Sequence, residues 1–129
     1  MTNNPSIMAE ISYWENKKEE FVNFLVNAMQ LNLHDEDWEF GDKEIGSYLD
    51  AYTSKAKDPI TFTTGWLKGL MLINTLYKQV FTNTKEATEK LILDKQAQEL
   101  VVTNMFFIVA TINYLIGLYK NVDRDQISE

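Results

Sequence analysis

Carboxylates dominate the residues of this chain that could do chemistry, and they crowd into one window. From Asp35 to Asp50 stand seven acids (Asp35, Glu36, Asp37, Glu39, Asp42, Glu44 and Asp50) against Lys43 alone, so the window carries −6 of a net charge of −7. Asp35, Asp37 and Glu39 fall at positions one, three and five of a calcium loop of the EF-hand kind, where oxygen ligands are needed. The likeness stops there. Position six is Phe40 instead of glycine and position twelve is Gly46 instead of a bidentate glutamate.

The other motifs fail for equally physical reasons. Gly41 and Gly46-Ser47 have the spacing of a phosphate loop, but its lysine is missing and Asp42 and Glu44 repel phosphate. Ser47 lacks the Gly-x-Ser-x-Gly turn that exposes a nucleophile, and His34 is the sole histidine in the chain. A lone histidine beside three acids reads as a surface residue and not as a ligand or base. With no cysteine either, disulfides, thiol catalysis and cysteine-ligated metals are excluded. The sequence therefore points to a non-enzymatic protein that needs no metal or cofactor.

What remains is an acidic patch with aromatic residues inside it. Trp38 and Phe40 sit among Asp35, Glu36, Asp37, Glu39, Asp42 and Glu44. One reading has the rings pinning a loop to the core while the acids stay solvated. The other is a docking surface on which carboxylates steer a basic partner and an aromatic side chain anchors it. That second reading predicts a small inhibitor, immunity or antitoxin-type protein occupying a basic, nucleic-acid-binding surface of its target. Direct nucleic-acid binding is not expected of a chain with this charge and a single arginine.

These residues must be positioned by helices. At 129 residues with 45% apolar and 24% charged residues, the chain has the composition of one folded domain. Five glycines and two prolines leave few breaks, which favours a few long helices: an all-α bundle of four to five helices. Ser6 can cap a first helix whose Ile7, Ile11, Trp14, Phe21, Leu25 and Ala28 repeat at helical spacing up to about Leu31. Residues Asn32 to Gly41 read as a loop with room for one helical turn around Asp35 to Glu39, and Asp42 can cap a second helix. Asp58-Pro59 starts a third, apolar on most sides and so expected to be largely buried, in which Gly65 and Gly69 let a neighbouring helix cross closely. Asn83 with Glu86 resembles a capping box for a further helix, with a bend near Asp94.

Leu100 to Tyr119 then runs for twenty residues without a charge. About 30 Å of such helix is either the centre of the bundle or a membrane span. Asn104 and Asn113 point about 180° apart on a helix, and an unpaired amide in hydrocarbon costs roughly 2–7 kcal/mol. The flanking Lys120 and Arg124 are offset by Asp123 and Asp125, giving no positive-inside bias. The central-helix reading is preferred, and with no secretory signal the cytoplasm is expected. The alternatives are a homo-oligomeric or accessory subunit assembling through apolar helix faces, and a membrane-associated protein held by residues 100–119. The ends, residues 1–5 and 122–129, are expected to fray.

Overall fold

The structure, a computed structural model, describes residues 5–28, 30–82 and 95–128, with side chains over 5–27, 30–75 and 99–122. Four α-helices account for most of it: α1 (Pro5–Asn23), α2 (Asp35–Thr53), α3 (Pro59–Thr82) and α4 (Lys95–Ser128). No strand occurs among the described residues. The chain is an all-α bundle, as its sequence predicts.

The long uncharged segment is its centre. On α4, Met105, Ile108, Val109, Ala110, Ile112 and Leu115 are all buried, and each hydrophobic cluster of the protein draws on this helix. Trp14 of α1 and Leu67 of α3 close on Ile108, Ile112, Leu115 and Ile116. Leu25 meets Val101 and Met105, while Ile45 and Leu49 of α2 meet Ala110. The segment Glu99–Val122 is long and apolar enough to cross a membrane, and half of its most apolar stretch is buried against the other helices. Both asparagines are paired, as a buried helix requires. Asn104 Nδ2 donates to the Leu70 carbonyl at 3.2 Å, and Asn113 Nδ2 donates to Asp42 Oδ1 at 3.0 Å.

Contacts along α4 set the helix directions. Leu25 lies near Val101 while Glu10 lies near Tyr119, so α1 runs against α4. Leu70 beside Asn104 and Ile60 in the cluster of Ile116 and Tyr119 place α3 in the same sense as α1. Gly41 against Phe106 and Thr53 against Tyr114 show that α2 runs with α4. Among the described residues no Cα of α1 comes within 8 Å of one of α3. These two helices touch α4 but stand apart from each other.

Helix ends follow local chemistry. Asp58 caps α3, accepting from Thr61 N at 3.2 Å and from Thr61 Oγ1 at 2.6 Å, with Pro59 at the first helical position. The first helix begins one residue earlier than its expected cap, at Pro5, and ends in a π-helical turn over Phe24–Ala28. Leu31 N then donates back to the Leu25 carbonyl at 3.1 Å, with Gln30 at φ 56°, the left-handed conformation that glycine tolerates best. The backbone of α4 is helical to Ser128. Asn83, Glu86 and the bend near Asp94 lie outside the described residues.

Two expectations for α3 need correction. Gly65 and Gly69 are exposed, and a Cβ built at either meets nothing within 4 Å, so among the described residues no neighbouring helix crosses there. Nor is the helix largely buried over its described length, since Leu72 is 60% and Ile73 45% exposed. Among the described residues α2 and α4 cover α3 closely, and its remaining apolar side is left uncovered by them.

Candidate functional site

The acidic window is helix, not loop. His34 is the N-cap of α2, and its backbone N–H donates to Asp37 Oδ2 at 2.8 Å, one half of a capping box. Asp35, Glu36 and Asp37 occupy the first turn, where the unpaired amides and the helix dipole favour negative charge. Three of the acids thus have a structural reason to be there. The sequence reading placed the helix start at Asp42 because a dense acidic run resembles a solvated loop. Asp42 instead lies two turns inside α2 and accepts the hydrogen bond from Asn113.

Two of the expected anchors do different jobs. Trp38 is half-buried and stacks on Phe106 of α4 with centroids 5.3 Å apart and an interplanar angle of 25°. It pins the helix. Phe40 is 62% exposed and borders a groove of about 460 Å³ whose apolar walls include Leu25, Leu33, Val102 and Phe106. Asp37 lies on the same wall and Asn32 and Thr103 complete the lining. Sequence reasoning missed the groove, because its walls come from three segments distant in the chain.

The acids are not brought together into one patch. At about 100° per residue, Glu36, Asp37, Phe40 and Glu44 share the groove-side arc of α2. Asp35, Glu39 and Asp42 fall on the opposite edge, toward Asn113. Asp35, Glu36, Glu39 and Glu44 are exposed, and among the described residues no basic side chain pairs with any of these acids. Because Asp35, Asp37 and Glu39 step around a helix, their carboxylates diverge and do not converge on a common point.

One glycine makes this arrangement possible. A Cβ at Gly41 would stand 2.6 Å from Phe106 Cε1 and 2.7 Å from its Cζ, so only glycine lets α2 settle on that ring. Further along, Tyr114 OH donates to Asp50 Oδ1 at 2.6 Å and lies 2.9 Å from Thr53 Oγ1. Burial, and then the Asp50 carboxylate, push the Tyr114 phenol above its ordinary value. Asp50, which the sequence counts with the acidic window, therefore ties α2 to α4.

Compared with protein-family models, with curated proteins and with solved structures, the chain matches none. Its function is argued from the site alone.

Proposed function

We propose that this chain is a non-enzymatic cytoplasmic binding protein, of the inhibitor, immunity or antitoxin type, that docks a basic protein surface on the groove-side arc of α2. The observation that carries the reading is Phe40: a phenylalanine 62% exposed beside an apolar groove, in the same arc as acids that no cation pairs among the described residues. Carboxylates around an aromatic anchor steer and orient a cationic partner, and a side chain of that partner entering the groove completes the desolvated centre that interfaces use as a hot spot. Contact narrows from the whole Asp35–Glu44 window to Glu36, Asp37, Phe40 and Glu44.

The test compares two edges of one helix in affinity capture from the source cell. Asp37 and Asp42 stay intact because both serve the fold. A basic protein held by wild type should be lost by Phe40→Ala and by Glu36→Gln/Glu44→Gln, and retained by Asp35→Asn/Glu39→Gln, which removes the same charge from the other edge. Its affinity should fall steeply with salt. Equal loss from both double variants would reduce the interaction to net charge and sink the assignment of this arc.

A second reading is favoured by the open strip on α3. Among the described residues nothing stands over Gly65 and Gly69, which lie beside exposed Leu72 and Ile73, an apolar surface through which copies of the chain could assemble. Light scattering at micromolar concentration decides it, because a monomeric mass removes self-assembly.

A further inference from the structure

Asp37, Phe40 and Glu44 stand three and then four residues apart on α2, so one edge of the helix carries acid, ring and acid at one-turn intervals. That edge is the lip of the groove of about 460 Å³ whose apolar walls include Leu33, Val102 and Phe106. On the α4 wall Thr103 lines the groove, and exposed Glu99 precedes it by one turn on the same face. No basic side chain lines the groove. Lys43, the one cation of α2, sits about 120° around the helix from Asp37.

The lip has an oxygen to offer. Asp37 Oδ2 accepts the His34 N–H at 2.8 Å, while among the described residues Oδ1 is unpaired and accessible to solvent. The Cβ atoms of residues spaced like Asp37 and Phe40 on a helix are about 5–6 Å apart. One flat cation can therefore cover the ring and meet the carboxylate at its edge.

We propose that the partner side chain entering this groove is an arginine. The proposal rests on the docking reading above and names its anchor. The stem lies on the apolar walls, and the guanidinium stacks on Phe40 and donates to Asp37. Other occupants meet a physical obstacle. An anion faces carboxylates on both walls, and a purely apolar side chain covers Asp37 without giving it a partner. An ammonium is a compact, strongly hydrated point charge, whereas a guanidinium is planar, more weakly hydrated and carries its donors in a fork that suits a carboxylate.

The test follows the backbone amide resonances of Phe40, Val102 and Thr103 in the full chain while N-acetyl-leucyl-arginine amide is added, with lysine, citrulline or norleucine in place of the arginine as controls. A saturable shift is expected at about millimolar concentration. Citrulline, which keeps the shape and drops the charge, and norleucine should bind about fivefold more weakly, and lysine about threefold. Phe40→Leu, and Asp37→Asn, whose side-chain oxygen still accepts the His34 N–H, should each remove most of the preference for arginine over citrulline; thermal melts verify that both variants fold. Equal binding of arginine and citrulline, tighter binding of norleucine, or no saturable shift at about 20 mM would overturn the proposal. The capture experiment judges the docking reading separately. A basic protein lost by Phe40→Ala while arginine and citrulline bind alike would sink the anchor and leave the arc, and retention of that protein by Phe40→Ala would sink both.

Discussion

The two flanks of α4 are built on opposite plans. Against α2, a glycine admits a close approach, Trp38 and Phe106 stack, and Tyr114 reaches Asp50 and Thr53. Against the α1–α3 pair, the same central helix meets two partners whose Cα atoms, among the described residues, stay more than 8 Å apart and whose side chains meet over it. There the Trp14 N–H and the Asn74 side-chain oxygen are buried without partners among the described residues, as the Trp66 N–H is on the α2 side, and clefts lie along the gap. A seam closes when a small residue and hydrogen-bonding side chains coincide, and stays open when apolar bulk alone is supplied. Stability is therefore to be sought in the closed part of the seam, and binding at the open grooves that border α4 on either side.

Truncation in the seam should cost most. Leu49→Ala removes a fully buried side chain between α2 and Ala110, and chemical denaturation should register a loss of about 2–5 kcal/mol. Next comes Gly41→Leu, which drives a side chain into the Phe106 ring and should cost about 1–3 kcal/mol. The same change at Gly65 or Gly69 should do the reverse in a monomer, gaining up to about 1 kcal/mol each from helix propensity, since nothing stands in the way. Destabilisation at those two sites would show that the open strip of α3 is covered in solution.

Smaller effects sharpen the contrast. Tyr114→Phe should lose about 1 kcal/mol at neutral pH with the hydrogen bonds to Asp50 and Thr53. Because the phenol is raised above 10.0, the stability it contributes is complete below that pH and is lost as pH climbs through the folded-state value. Alkaline melts of the variant should fall less steeply. Least of all, Asp58→Ala should lower the melting temperature slightly by uncapping α3. The Thr61 hydroxyl, followed by backbone amides, holds the Asp58 carboxyl below its ordinary value. Its contribution is present above that ordinary value of 3.8 and disappears on acidification, so the gap between wild type and variant should close at low pH.

How much of this was legible in the sequence depended on whether the signal was local. Asp58-Pro59 announced a helix start because capping chemistry lies within four residues. The uncharged run announced the central helix, and Asn104 and Asn113 announced that opposite sides of it need polar partners. The acidic window misled, since carboxylates suit both a solvated loop and the first turn of a helix, and only the His34–Asp37 cap separates them. Gly65 and Gly69 misled as well: a small-residue spacing permits close packing without demanding it. Gly41, where packing does demand glycine, carried no local mark, because the ring that excludes a Cβ belongs to Phe106, far away in the chain.

Every cluster of the core waits for the last helix, and that fixes the order of events during synthesis. Tyr48 and Tyr52 of α2 meet Trp66 and Phe62 of α3, but α1 packs chiefly on α4, so Ile7, Trp14 and Leu25 stay exposed while some ninety more residues are made. At about 5–20 residues per second that interval is about 5–20 s. Through it the α1 segment is an apolar client for chaperones, and a ribosome stalled before residue 100 leaves it without the helix on which it packs.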